Sequence, residues 1–198
     1  MTESTPSSFD VLILGGGSGG YAAALRASQL GMTVGLVEES KLGGTCLHNG
    51  CIPTKALLHA AEVADEARHG ASIGVLTEFN GIDMPAVNAF KQGVVDRLYK
   101  GLQGLVKSRK VTMIDGHGTL VGPDAIEVRG VRYTGRNIVL GTGSYARSLP
   151  GLEIGGRVIT SDQALQLDWV PKSVVVLGGG VIGSEFASVW KPTRPQAR

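Results

Sequence analysis

The sequence predicts an α/β protein, with a mostly parallel sheet in a three-layer arrangement, an antiparallel β excursion, and the start of a second βαβ unit near its end. Three observations predict this. Apolar runs of strand formers alternate with helical patterns over the first 38 residues, as βαβ units require. The second half shortens into β-type segments separated by Gly, Pro and Asp. A strand, a glycine turn and a helix start occur in succession twice, around Gly15–Gly20 and Gly178–Gly183.

The elements follow in order. Phe9–Leu14 (FDVLIL) is a strand that stops at a run of small residues. Tyr21–Leu30 is helical, rich in Ala, with Gly31 as the C-cap candidate. Thr33–Val37 is the second strand, closed by Glu38. Lys41–Lys55 reads as a loop, and Pro53 suits the first turn of the helix that follows, where its missing N–H costs nothing. Ala56–Arg68 has helical composition, and Ile73–Met84 is broken by Gly74, Asn80 and Gly81. From Val87, apolar residues at Phe90, Val94, Leu98, Leu102, Leu105 and Val106 predict one stripe on a long helix. Val111–Ile114, Leu120–Val121 and Ile126–Val128 make the antiparallel excursion, which returns to a parallel strand at Ile138–Leu140. Ser173–Leu177 reads as a further buried strand leading to a helix start at Ser184–Ala187. After residue 190 the apolar period ends.

Composition excludes several classes. The chain of 198 residues has 30 Gly without a G-X-Y period and is 42% hydrophobic, so it is neither collagen-like nor disordered. No apolar run is long enough to cross a membrane, and Met1–Ser8 has no secretory pattern. The net charge of +2 comes from Lys191, Arg194 and Arg198, since the last eight residues hold no acid. The remainder carries no basic footprint for nucleic acid. Two cysteines make no disulfide scaffold. The expected setting is cytoplasmic, where paired cysteines are more often catalytic than structural.

Gly15, Gly17 and Gly20 form G-x-G-x-x-G between a strand and a helix. The first glycine allows the tight turn, the second lets the backbone approach a pyrophosphate, and the third lets helix pack on strand. The phosphates would meet unpaired N–H groups at the positive end of the helix dipole. Glu38 lies 18 residues after Gly20, placed to accept from a ribose hydroxyl. This is a Rossmann-like dinucleotide unit. Gly178, Gly180 and Gly183 repeat the pattern, so two dinucleotides are implied, such as a flavin and a nicotinamide. The second site lacks a return strand and ribose acid and is expected to be non-functional. Glu185 is either a nicotinamide-side residue or a first-turn acid favoured by the dipole.

Cys46 and Cys51 are separated by four residues. A disulfide at that spacing closes a short loop of the labile, catalytic kind, and the helix near Pro53 would favour a thiolate at Cys51. A metal site and two unrelated buried thiols are the competing readings. The metal reading needs further ligands, and His48, His59, His69 and His117 have no zinc spacing, so no metal is expected. His48 could tune a thiol, and Lys55 falls one helical turn after Cys51.

The segment Gly43–Lys55, GGTCLHNGCIPTK, resembles the redox-active signature of the class I pyridine nucleotide–disulfide oxidoreductases. Within that family, Ala56–His59, Tyr99–Val106, Leu140–Ser144 with Leu149–Leu152, and Gly178–Ala187 are most similar to the dihydrolipoamide dehydrogenases. Glutathione and mercuric reductases share the two-cysteine signature.

The resemblance covers residues 9 to about 191 and implies a set of roles. Gly15, Gly17, Gly20 and Glu38 would bind the adenine-dinucleotide half of FAD. Gly44, Thr45 and Lys55 would lie near the flavin and its phosphates. Gly118 would contact adenine, and Thr142, Gly143 and Ser144 would return to the pyrophosphate. A dithiol would reduce a Cys46–Cys51 disulfide, with Cys46 exchanging with substrate and Cys51 facing the flavin. Electrons would then pass to FAD and on to NAD at Gly178, Gly180, Gly183 and Glu185. The implied partners are dihydrolipoamide or the lipoyl domain of a 2-oxoacid dehydrogenase complex, and a second copy of the chain.

Residues 1–8 are expected to be a disordered N-terminus, 9–150 an FAD domain, 151–190 a linker and the start of an NAD domain, and 191–198 an aberrant tail. Family members continue into the rest of the NAD domain and a dimerisation domain. The expectation is therefore a truncated chain, inactive alone, with a non-catalytic FAD-binding fragment as the alternative. Gly141, where the family often has Ala, and His48-Asn49, where Asn-Val is usual, are mild departures.

Overall fold

The computed structural model describes residues 7–193. The expectations for residues 1–6 and 194–198 lie outside the described residues. The chain divides into two units. The first takes the stretch up to His48 and Arg97–Tyr145, and the second takes Asn49–Asp96 and the stretch from Ala146 onward.

The first unit holds every strand of a six-stranded sheet. The strands are β1 (Ser8–Leu14), β2 (Val34–Glu38), β3 (Thr112–Asp115), β4 (Gly118–Gly122), β5 (Ala125–Val128) and β6 (Val131–Leu140), in the order β3-β2-β1-β6-β5-β4. β3, β2, β1 and the carboxyl half of β6 are parallel, whereas β4, β5 and the start of β6 form an antiparallel meander. Helix α1 (Ser18–Gln29) packs on one face of the parallel strands through Ala24 and Ala27, beside Val106. On the other face, Ile126 and Val128 of the meander pack with Leu12, Val37 and Ile114. The layers are thus helix, parallel sheet and meander, as the sequence predicts.

Several elements differ from their expected form. β3, expected within the antiparallel excursion, pairs parallel with β2 instead. The loop predicted over Lys41–Lys55 contains a short helix, α2 (Gly44–His48), and ends where α3 (Cys51–His69) begins. Pro53 sits in the first turn of α3, and Thr54 N–H donates to Gly50 O at 3.0 Å. β6 spans ten residues rather than three, because its first half closes the meander and its second half pairs with β1.

The second unit is helical. It contains α3, one 3-10 turn (Gly70–Ile73), the first part of α4 (Met84–Ser108), α5 (Ser161–Ala164) and α6 (Val181–Thr193). Leu57, Met84, Leu165, Phe186, Val189 and Trp190 form its core. Lys91 is buried there, with Nζ donating to Asn88 Oδ1 at 2.7 Å and to Leu165 O, and burial pushes its ammonium pKa down.

The strand predicted at Ser173–Leu177 is not one. A strand exists only through its ladder to a neighbour, and no strand lies among the described residues of this unit. Val175 and Leu177 are correspondingly 87% and 66% exposed. The helix that follows continues to Thr193, past the point where the apolar period ends.

Candidate functional site: the carboxyl edge of the parallel strands

Four parallel strands end along one edge of the first unit, and their connections carry most of the sequence-predicted residues. Gly15 follows β1 with φ +101, a conformation costly for any side chain. A Cβ there would lie 2.6 Å from the carbonyl carbon of Gly141, which follows β6, and closer still to its oxygen. A Cβ on Gly20 would lie 2.9 Å from the Gly15 carbonyl carbon, again with the oxygen nearer. The first and third glycines are therefore dictated by chain-to-chain contact. At Gly17 and Gly19 the space is open: Gly17 has only Gly44 Cα, at 4.0 Å, and Gly19 has no neighbour within 4 Å.

α1 begins with no side-chain cap at Gly17 and no acid in its first turn. Its first N–H groups are left to an outside acceptor, and open glycines border them. The residues present therefore fit a dinucleotide pyrophosphate.

Glu38 closes β2 and reaches this loop. Its carboxylate accepts from Gly16 N at 2.7 Å and from Ser40 N at 2.8 Å. Gly43 N–H donates to Gly16 O at 2.8 Å, and a Cβ on Gly44 would lie 2.7 Å from Gly17 Cα. α2, with exposed Thr45 and half-buried Cys46, is thereby fixed to the glycine loop. Gly118 opens β4 over the ends of β1 and β2, where a Cβ would meet Val37 Cγ1 at 2.9 Å. Thr142, Gly143 and Ser144 follow β6 and are exposed. One pair at this edge escapes sequence reasoning. His117 Nδ1 lies 2.7 Å from Glu39 Oε2 and ties the ends of β3 and β2, and neither residue stands in a motif.

The remaining predicted residues belong to the second unit. Cys51 is exposed at the first position of α3. Lys55, one turn later, is ion-paired with Glu185 of α6. The second glycine turn repeats the first: Gly178 has φ +104, and a Cβ on Gly183 would lie 3.3 Å from the Gly178 carbonyl carbon, with its oxygen nearer, and 3.1 Å from Val176 Cγ1. Gly180 is open, and Ser184 N–H donates to its carbonyl at 3.0 Å. The turn thus forms although its strand carries no ladder. Among the described residues, no group of three or more His, Cys, Asp or Glu could hold a metal ion, and no helix is long and apolar enough to cross a membrane.

Fold and loops together define a dinucleotide-binding α/β protein. Comparison with known proteins narrows the class, because the family model for pyridine nucleotide-disulphide oxidoreductases matches residues 9–194. The chain belongs to that family. It is 45% identical over 195 residues to a dihydrolipoyl dehydrogenase of Bacillus subtilis, an alignment covering 91% of this chain and 41% of the relative. It is 43% identical to the mitochondrial dihydrolipoyl dehydrogenase 1 of Arabidopsis thaliana, covering 91% of this chain and 37% of that one. Among solved structures, it is similar to an HOCl-induced flavoprotein disulfide reductase of Escherichia coli, a Cu(II) complex. The TM-score is 0.74 at 28% identity, covering 95% of this chain and 41% of the other. The chain thus spans about two fifths of the length of these relatives.

Proposed function

We propose that the chain is the flavin-binding part of a dihydrolipoyl dehydrogenase-type enzyme, with residues 9–150 as the FAD domain and 151–190 leading into an NAD domain. The observation that carries this reading is the cysteine helix α2 bound to the glycine loop by Gly43 N–H to Gly16 O and by the Gly44–Gly17 contact. Chemistry at Cys46 and dinucleotide binding share one framework.

Gly15, Gly17 and Gly20 would seat the pyrophosphate, Glu38 would accept from the ribose, and Gly118 and Thr142–Ser144 would line the adenine and phosphate sides. Gly44 and Thr45 would lie near the flavin, and by the family resemblance Lys55 would too. The flavin, when bound, supplies a two-electron acceptor. A substrate dithiol attacks a Cys46–Cys51 disulfide through one thiolate, giving a mixed disulfide at Cys46 and releasing Cys51 as thiolate. The second substrate thiol then displaces Cys46, so substrate leaves as a cyclic disulfide and the protein keeps two thiols. Two electrons and two protons have moved; the electrons and one proton would end on NAD⁺ as a hydride, and the second proton would go to solvent. The substrate is dihydrolipoamide or a lipoyl domain of a 2-oxoacid dehydrogenase complex, the working enzyme is a homodimer, and the setting is the reducing cytoplasm.

A second reading is a flavin-binding module without nicotinamide turnover. It is favoured by the absence of a ladder at Ser173–Leu177 among the described residues. Thiol counting after oxidation and then dihydrolipoamide treatment tests the exchange step. The account expects two thiols to disappear and return in the chain as it stands, and none to do so in Cys46→Ser. Equal recovery with glutathione as the thiol reductant would move the assignment towards the glutathione reductases. NADH formation by this chain would remove the second reading.

A further inference from the structure

His48 stands between the two cysteines, and its contacts give it a part in the site. α2 is five residues long, too short to persist on local hydrogen bonds alone. Tertiary contacts hold it. Its entry is fixed at the glycine loop, as described, and its middle by buried Leu47, which a Cβ on Gly43 would strike at 2.8 Å. Its far end is fixed by His48. The ring Nε2 lies 2.9 Å from Leu42 O, and a carbonyl only accepts, so Nε2 carries the hydrogen and donates. The ring also meets Tyr99 edge-on, with centroids 5.0 Å apart and planes at 76°. That is the favoured T-shaped arrangement of aromatic rings.

We infer that His48 is a positioning residue that folds the end of α2 back onto the Leu42–Gly43 turn and thereby sets the accessibility of Cys46. Residues at i and i+2 of a helix do not face one another, so His48 acts on Cys46 through the helix rather than by touching its sulfur. The chain of contacts is continuous: Glu38 to Gly16, Gly16 to Gly43, and Leu42 to His48. The inference rests on the reading of Cys46 as half of a redox pair, and its test separates the two.

The test follows iodoacetamide alkylation of Cys46 in the full chain carrying Cys51→Ser. His48→Ala removes the hydrogen bond and the ring contact together, and a rise of about tenfold in the alkylation rate is expected. Tyr99→Leu removes only the ring contact and should raise the rate about threefold. His48→Gln restores a donor and should bring the rate part of the way back, which a general loosening would not do. If His48→Ala fails to fold by far-UV circular dichroism, Tyr99→Leu decides alone. A folded His48→Ala chain alkylated at the parent rate, or an unchanged rate in folded Tyr99→Leu, overturns the inference. Thiol counting in the unsubstituted chain judges the redox pair independently. Accelerated alkylation in a chain that never forms the disulfide would keep the positioning role and dismiss the redox reading.

Discussion

Replacing Gly20 with alanine puts the close packing at the glycine loop to its sharpest test. The added Cβ would lie 2.9 Å from the Gly15 carbonyl carbon and nearer to its oxygen, where ordinary contact is 3.4–4 Å. The obstructing atoms are backbone, so no side chain can swing away. Either α1 must lift from β1 or the turn at Gly15 must open, and Gly15 is itself pressed against Gly141. Overpacking of this kind costs about 1–3 kcal/mol, sometimes more. The gain in helix propensity from Gly to Ala returns only about 0.5–1 kcal/mol. The difference leaves a net loss of ~1 kcal/mol, which at a urea slope of about 1–3 kcal/mol/M lowers the midpoint by roughly 0.5 M.

Gly141→Ala is the matched control. Its Cβ would find Gly15 O at 3.4 Å and Gly20 Cα at 3.5 Å, and its backbone has no positive φ. That substitution should be neutral or add about 0.4–1 kcal/mol through the unfolded chain. Far-UV circular dichroism in urea reads both. Equal midpoints for Gly20→Ala and the parent, or a larger loss in Gly141→Ala, would refute the packing argument.

Two further predictions concern other parts of the molecule. Gly183→Ala meets the Gly178 carbonyl and Val176 in the second turn and should lower the tryptophan-fluorescence midpoint, since Trp169 and Trp190 both lie in the second unit; an unchanged midpoint would show that the turn is not closely packed. Asp10 accepts from Thr33 N–H at 2.9 Å and from Thr33 Oγ1 at 2.8 Å, with Arg136 at 3.3 Å, and these hold its pKa below the usual 3.8. The native state therefore binds fewer protons at Asp10 than the unfolded chain. The stability it adds is present above pH 3.8 and is lost as pH falls through the lowered value. Urea midpoints of Asp10→Asn and the parent should differ at neutral pH and converge in acid, and a constant gap would contradict the assignment.

The glycine loops were legible in the sequence because their requirement is local and steric: a turn too tight for a side chain leaves glycine at fixed spacing whatever surrounds it. Glu38 was legible for the same reason, at the end of a strand of fixed length. α2 was not. Its residues, GTCLH, are weak helix formers behind two glycines, and what holds them is the contact with Gly16 and Gly17 and the reach of His48 to Leu42, none of it visible in spacing. The stripe on α4 holds at Val87, Leu102 and Val106, which pack against the two cores, but fails at other positions for a physical reason. Lys91 occupies a buried position beside Val95, and a lysine there hides the true face. Periodicity then selects Phe90, Leu98 and Leu105, which are 48%, 43% and 44% exposed. At Ser173–Leu177 the apolar run was real, but strand state depends on a neighbour that local sequence does not report.

On the function proposed above, the carboxyl edge of these four strands binds a flavin dinucleotide. FAD titrated into the purified chain, followed by flavin absorbance and fluorescence, tests it most directly. The account predicts one FAD per chain, with binding lost in Gly20→Ala and weakened in Glu38→Ala. A folded chain that leaves added FAD unbound, or binds it equally well with Gly20→Ala, would contradict it.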